Sequence, residues 1–213
     1  MVKKKKPTRT STSPLEEARR KLSRRDPRLR EVIRHIGPCT MKPNREHFAT
    51  LVRTIISQQI STKAAVSIGE RLLRLVGPGG FSPERILSIP DETIRGCGFS
   101  GNKLKSLRDL CAKVLDNTVK LDVLHKLPDH EVRESLVQIR GIGPWSADMF
   151  LMFSLGRLDI LPVGDFGLRA GVKKIYELRE LPTPVELEEI AVPWQPYRSI
   201  ATWYIWRSLG GVP

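Results

Sequence analysis

Two features of this sequence could do chemistry: a closely spaced glycine pair and a downstream aspartate. Gly141 and Gly143 flank Ile142 between two apolar, helix-like patterns. Glycines permit a sharp reversal of the chain, and the free amide N–H groups at the start of a following helix attract an anion such as phosphate. Asp165 lies 20 residues beyond Trp145, after a short apolar segment. The pattern predicts a phosphate-binding turn that works together with a carboxylate.

The charge of the chain indicates a polyanionic partner. The 213 residues include 36 Lys and Arg against 23 Asp and Glu, a net charge of +13, which suggests nucleic acid or an anionic membrane surface. Thirteen basic and four acidic residues lie among the first 34, which therefore carry +9. We interpret residues 1–13 as a flexible basic tail. A hydrophobic content of 40% is typical of a chain with a core, so residues 14–213 are predicted to form the folded domain.

Several classes of protein are excluded by composition. The three cysteines, Cys39, Cys97 and Cys111, are dispersed and odd in number, which indicates a reducing compartment rather than a disulfide framework. The four histidines do not fall at zinc-ligand spacings, so no metal site is predicted. No apolar run approaches the ~20 residues that span a bilayer, and the N-terminus does not resemble a signal peptide. We expect no membrane association, and a location in the bacterial cytoplasm or nucleoid or the eukaryotic nucleus.

The elements that must position the glycines and the aspartate are helices. Apolar residues recur at spacings of three and four, and no convincing alternating strand occurs. The pattern predicts an exposed helix from Leu15 to Ile36, another capped by Asn44, and a last one opened by Pro196. Phe166 is placed with Leu168 on the apolar face of the helix after Asp165. We therefore predict an all-α protein built of about ten short helices.

The glycine pair gains specificity from its context. Two glycines one residue apart recur in many turns, but here Pro144 is placed to begin the second helix, so that its amides converge on one point. The arrangement resembles a helix-hairpin-helix DNA-binding element. With Asp165 it resembles the helix-hairpin-helix (HhH-GPD) DNA glycosylase superfamily, and within that superfamily the 3-methyladenine DNA glycosylase II family. The resemblance extends roughly from Phe48 to Leu209, and it implies a two-lobed helical bundle with the active-site cleft between the lobes.

The resemblance assigns roles to individual residues. It implies that Asp165 is the catalytic carboxylate and that Gln59 fills the gap left in the duplex by an extruded nucleotide. It implies that Gly141, Ile142 and Gly143 bind a backbone phosphate. Gln58 and Ser146 are further candidate DNA-binding residues, since the amides of the glutamine pair could reach base edges or fill a gap in a duplex. The base pocket that it implies comprises Trp145, Met149 and Trp206, and Tyr204 is a further candidate because its ring could also attract a cationic base. Met149 stands where some members carry a tyrosine, so we expect weaker stacking on that side.

The chemistry of base removal fits these residues. Breaking an N-glycosidic bond builds positive charge on the sugar, which a nearby carboxylate stabilises. An alkylated purine already carries positive charge, so it leaves with little acid catalysis. Electron-rich rings attract such a base by ~0.5–2 kcal/mol per contact. Extruding it from the duplex costs a few kcal/mol, which binding of the phosphate and the wedge offset.

The predicted function is a monofunctional DNA N-glycosylase that extrudes and excises alkylated purines of the 3-methyladenine and 7-methylguanine class in base excision repair. Bifunctional relatives such as endonuclease III carry a nucleophilic lysine at the position of Trp145, so we expect no strand cleavage here. The expected partner is double-stranded DNA that contains damaged bases, and we expect a monomer. We expect that no cofactor is required, and the sequence leaves open whether the hairpin binds a monovalent cation. Two alternatives remain: a glycosylase for oxidised or mismatched bases, and a noncatalytic helix-hairpin-helix DNA-binding protein.

Overall fold

A computed structural model describes residues 13–210 of the chain. Within this range the chain is all-α, as predicted, with twelve α-helices rather than about ten and no strand. The predicted basic tail lies outside the described residues, apart from Ser13. The α-helices are α1 (Pro14–Arg25), α2 (Pro27–Ile36), α3 (His47–Ser57), α4 (Thr62–Val76), α5 (Pro83–Ser88), α6 (Asp91–Gly96), α7 (Gly101–Leu115), α8 (Asp129–Val137), α9 (Pro144–Phe153), α10 (Phe166–Tyr176), α11 (Pro184–Ile190) and α12 (Arg198–Ser208). Short 3₁₀ turns occur at Leu124–Lys126 and Val192–Trp194.

The helices form two compact units. The terminal unit contains the described residues before and including Met41 together with those from Val163 onward. The central unit is Lys42–Pro162. Helices α1, α2 and α10–α12 therefore belong to the terminal unit, and α3–α9 to the central unit.

Helix α12 forms the core of the terminal unit. Every residue from Ser199 to Trp206 is buried, and helices α1, α2 and α10 pack against it. A helix that is apolar on all sides must be covered on all sides. The aromatic C-terminal segment is therefore the interior around which the rest of this unit assembles.

The predicted exposed helix from Leu15 to Ile36 is in fact two helices, each with one buried and one exposed face. Pro27 occupies the first position of α2, where its missing N–H breaks the continuous helix. The Asp26 carboxylate caps α2 by accepting the backbone N–H of Leu29 at 3.0 Å, and it also accepts the indole N–H of Trp194 at 2.9 Å. Leu29 is fully buried. The many charged residues of this segment lie on the other side of amphipathic helices.

Two predicted helix starts differ from the structure. Asn44 does not cap α3; its side chain accepts the N–H of Glu46, and α3 begins at His47. The last helix begins at Arg198 rather than at Pro196. Side chains cap the N-termini of α4, α5, α7 and α11, through Ser61, Ser82, Ser100 and Thr183 respectively.

Helix α7 forms the core of the central unit, where it packs against α3, α5 and α6. Its buried face includes Leu107, Leu110 and Cys111. Burial raises the pKa of the Cys111 thiol to about 12, so this cysteine is an unreactive core residue. In the described part of the chain no helix is long and apolar enough to cross a membrane.

Candidate active site

The predicted hairpin joins α8 to α9 in the central unit. Gly141 has φ +78, a left-handed conformation that favours glycine. A Cβ at this position would lie 2.6 Å from the Ser106 Oγ atom of α7, so there is no space for a side chain on residue 141. Ile142 is buried, and its N–H donates to the Ile139 carbonyl at 3.0 Å. The isoleucine side chain therefore anchors the turn in the core, and only its backbone is available to a ligand.

The exit of the hairpin leaves an uncapped helix start. Gly143 is the N-cap of α9 and supplies no side-chain hydrogen bond, and Pro144 follows at the first position. The first N–H groups of a helix have no partner within the helix, and they favour an anion. Ser146 is buried. Its predicted contact with DNA stays a prediction, and with the side chain buried it depends on the backbone N–H in the first turn of α9.

Helix α7 holds the entry side of the hairpin. The Asp109 Oδ2 atom accepts the backbone N–H of Arg140 at 2.7 Å and the Lys113 ammonium at 2.8 Å. Lys113 also donates to the carbonyl of Gln138. Partial burial by itself raises the pKa of Asp109, but the Arg140 N–H and the Lys113 ammonium outweigh it and hold that pKa below its usual value.

The glutamine pair lies beside the hairpin in the same unit. The Gln58 Nε2 group donates to the Gly141 carbonyl at 2.8 Å. One N–H of this amide is therefore bound to the hairpin, and the contact of Gln58 with DNA stays a prediction. Gln59 is exposed and has φ +56, a left-handed backbone conformation that lies outside helix α3. Lys103 of α7 donates to the Ile56 carbonyl at 2.7 Å and so fixes the end of that helix.

Asp165 lies in the terminal unit as the N-cap of α10. Its Oδ1 atom accepts the Leu168 N–H at 2.5 Å and the Trp206 Nε1–H at 2.8 Å. A Cβ on Gly167 would lie 3.3 Å from that Oδ1 atom and 3.4 Å from the indole nitrogen. Glycine at position 167 therefore leaves space for the carboxylate and the indole to meet.

Tyr204 does not fit its predicted role in a base pocket. Its side chain is 0% exposed, its hydroxyl donates to the Gly37 carbonyl at 2.9 Å, and its ring packs edge-on against Trp203 with centroids 5.0 Å apart. Burial raises the pKa of the hydroxyl well above its ordinary value. The prediction is wrong because the ring is enclosed in the core of the terminal unit.

Phe166 is exposed, although the sequence pattern predicts that it is buried. The apolar pattern predicts that it shares the buried face of its helix with Leu168, yet its ring is 70% exposed, whereas Leu168 is fully buried. Its position directly after the N-cap Asp165 was the available signal, because a first-turn side chain can point away from the face that packs. Trp145, 45% exposed, is the other open ring among the candidate residues, and Met149 is partly exposed. Trp206 is nearly buried at 8%.

Comparison with known proteins identifies the family. Residues 52–196 match the family described as HhH-GPD superfamily base excision DNA repair protein. The chain belongs to this superfamily. The alkylbase DNA glycosidase-like protein mag2 of Schizosaccharomyces pombe is 32% identical over 200 residues, which cover 92% of this chain and 94% of that protein. DNA-3-methyladenine glycosylase 1 of the same yeast is 32% identical over 183 residues, covering 85% and 80% of the two chains.

Solved structures of the superfamily share the fold of the chain. The crystal structure of a DNA-3-methyladenine glycosidase from Bacillus halodurans has a TM-score of 0.82 and 35% identity, and the match covers 94% of this chain and 91% of that one. The Schizosaccharomyces pombe 3-methyladenine DNA glycosylase (Mag1), in complex with abasic DNA, has a TM-score of 0.81 and 30% identity, covering 92% and 98%. Across residues 13–210, no group of three or more His, Cys, Asp or Glu side chains is arranged to hold a metal ion.

Proposed function

We propose that this protein is a monofunctional DNA N-glycosylase that excises alkylated purines from duplex DNA. The observation that carries the proposal is the Asp165 carboxylate, held by Trp206 and by the first turn of α10. It occurs in a chain whose near full-length relatives are named 3-methyladenine glycosylases. We take the protein to act as a monomer, since a single chain carries both the hairpin and the carboxylate.

In this proposal the hairpin binds the DNA backbone. The amides that follow Gly143 receive a phosphate oxygen, and the left-handed Gly141 with the buried Ile142 sets the shape of the turn. A backbone contact of this kind positions the duplex without selecting a sequence. Gln59, exposed beside the hairpin, remains the proposed wedge in the space that the extruded nucleotide leaves.

Asp165 supports the chemical step. The bond between the sugar C1′ and the purine nitrogen breaks, and its electron pair leaves with the base, so that a cationic alkylpurine departs as a neutral molecule. Positive charge then develops on the sugar, where a fixed carboxylate stabilises it. A water oxygen bonds to C1′ and releases one proton to solvent, which leaves an abasic deoxyribose with its phosphates intact.

Exposed aromatic rings suit a cationic base. We assign to Phe166 a contact with the extruded base, because it follows Asp165 and presents most of its ring to solvent. Trp145 and Met149 remain proposed base contacts of the central unit, whereas Trp206 contributes mainly through its bond to Asp165. Cation–π contacts of ~0.5–2 kcal/mol each would favour a charged purine over a neutral one.

The absence of strand cleavage is a further part of the proposal. A lyase of this superfamily needs an amine that attacks the sugar carbon and forms a Schiff base, and the indole of Trp145 cannot supply one. The product should therefore keep an intact abasic site until alkali is added. An adduct trapped by borohydride, or cleavage without alkali, would contradict this part alone.

A panel of duplexes, each with one lesion, tests the main proposal. The lesions are 3-methyladenine, 7-methylguanine, 8-oxoguanine and a mismatched base, with Asp165→Asn as the matched variant. Release of the two alkylated purines by the wild type, and its loss in the variant, is the expected result. Release of only the oxidised or mismatched base would favour the second enzymatic function. If wild type and variant both bind DNA but release every base only at the background rate, the protein is a noncatalytic DNA-binding protein.

A further inference from the structure

A charged groove lies beside the hairpin on the central unit and shares Asp109 and Arg140 with the residues that hold the hairpin. It has a volume of about 460 Å³ and is bordered by α6, α7 and the hairpin turn. We call it the α6–α7 groove. Its charged lining residues are Asp91, Arg95, Lys105, Arg108, Asp109 and Arg140.

Most of the net charge of the central unit is concentrated around this groove. Seventeen basic and thirteen acidic residues give Lys42–Pro162 a net charge of +4. Residues 91–115 and 138–143, which form α6, α7 and the hairpin turn, contain six basic and three acidic residues, a net charge of +3. Four of these six basic residues, Arg95, Lys105, Arg108 and Arg140, line the groove.

The two acidic residues of the groove are neutralised within the protein. The Asp91 Oδ1 atom lies 2.6 Å from the Arg108 guanidinium, which also donates to the carbonyls of Ile86 and Ile89. The Asp109 carboxylate accepts the Lys113 ammonium at 2.8 Å. Because these carboxylates are already satisfied, they do little to repel an anion that enters the groove.

Three cations remain directed to solvent. The Lys105 side chain is exposed and forms no ion pair with any other residue between 13 and 210. Arg140 is also exposed, and its bond to Asp109 uses its backbone N–H rather than its guanidinium. Arg95 makes one long contact of 3.8 Å with the exposed Glu92, the kind of surface pair that contributes little stability.

We propose that the α6–α7 groove binds the sugar-phosphate backbone of DNA next to the phosphate that the hairpin receives. Arg140 belongs to both the hairpin and the groove, so the two positively charged regions are continuous. A DNA strand bound at the hairpin would therefore extend into the groove. Duplex DNA carries about one negative charge per 1.7 Å of its axis, so neighbouring phosphates are close enough to be bound together. The inference rests on the proposed function, since it extends the DNA footprint of the same hairpin.

The test removes two groove cations without touching the hairpin. The double variant Arg95→Gln/Lys105→Gln is compared with Lys120→Gln/Lys126→Gln, which removes the same charge from exposed positions of the same unit that do not line the groove. Affinity for a long undamaged duplex is measured over a range of salt concentrations. Each lost phosphate contact lowers the slope of log affinity against log salt by ~0.9, so the groove variant should lose up to about two units and the control much less.

Two further measurements separate this inference from the proposed function. Affinity is measured for duplexes shortened stepwise from one end or from the other. Shortening the end that reaches the groove should lower the affinity of wild type until it equals that of the groove variant. Single-turnover base release at saturating enzyme should be unchanged in the groove variant, since Asp165 belongs to the other unit. Equal salt slopes for the groove and control variants would overturn the inference even if wild type releases bases normally. A wild type that releases no base would instead refute the proposed function.

Discussion

The Trp206 indole N–H donates to the Asp165 Oδ1 atom at 2.8 Å, and the same oxygen accepts the N–H of Leu168. Two donors from different helices, α12 and α10, thus converge on one oxygen of the carboxylate and fix its orientation. A residue that the sequence suggests as a wall for the base is, in the structure, the group that orients the proposed catalytic carboxylate. The consequences of this arrangement can be tested separately.

Replacing Trp206 with Phe keeps an aromatic ring but removes the N–H donor. Hydrogen bonds to charged groups contribute ~1.5–3 kcal/mol, so we expect base release to slow by about ten- to a hundredfold. The measurement is the single-turnover rate on a 7-methylguanine duplex. Trp203→Phe, a buried replacement on the same helix, is the control for a change in packing. In an Asp165→Asn background the Trp206→Phe effect should disappear, and a persisting full effect would contradict the orienting role.

Gly167→Ala introduces a Cβ between the carboxylate and the indole. At 3.3 Å from Oδ1 and 3.4 Å from Nε1, it forces the two groups apart by a few tenths of an ångström. Thermal stability should change little, because alanine favours a helix by ~1 kcal/mol over glycine and offsets the crowding. We expect kcat to fall while duplex affinity is kept. Gly164→Ala, where a Cβ meets open space, should leave kcat unchanged.

Phe166→Leu removes the exposed ring next to Asp165. If the ring contacts the base, stacking worth ~1–3 kcal/mol is lost, so release of alkylpurines should slow by about tenfold or more. Phe166→Tyr should retain most of the rate. Val185→Ala changes another exposed apolar residue of the same unit and serves as the control. Equal rates for the wild type and Phe166→Leu on every lesion would remove Phe166 from the base contact.

Gly141→Ala should damage the hairpin for two reasons. Its φ of +78 is strained for alanine, and the new Cβ would lie 2.6 Å from the Ser106 Oγ atom. We expect lower melting temperature and weaker binding to damaged and undamaged duplexes alike. Adding Ser106→Ala removes the closest atom, so the double variant should recover part of both properties. No recovery would show that the backbone conformation alone sets the requirement.

Asp109 should contribute a pH-dependent part of the stability. Because its pKa is lowered in the folded protein, its contribution is complete above the unfolded value of ~3.9 and is lost as pH falls through the lower folded value. Chemical denaturation should therefore show Asp109→Asn less stable than wild type at neutral pH, with the difference shrinking below about pH 4. Asp122→Asn, at an exposed position, is the control. A difference that grows on acidification would contradict the assignment of the interaction with Arg140 and Lys113.

Local signals in the sequence were enough to predict much of the fold. The serine and threonine N-caps act within one helical turn, and the helix start at Pro144 follows from the fixed φ of proline. The N-cap at Asp165 is likewise a contact over three residues. The break at Asp26-Pro27 carried a local signal of the same kind, which the charged pattern obscured.

The sequence by itself determined the helical class, the glycine turn and the aspartate that opens α10, because each depends on residues a few positions apart. Only the tertiary structure decided which aromatic rings are enclosed and which are open. Tyr204 and Phe166 are both aromatic residues in apolar helical patterns, yet one is buried and the other exposed. The bonds from Trp206 to Asp165 and from Gln58 to Gly141 join residues 41 and 83 positions apart. Such contacts depend on how whole helices pack, which the spacing of residues along the chain does not encode.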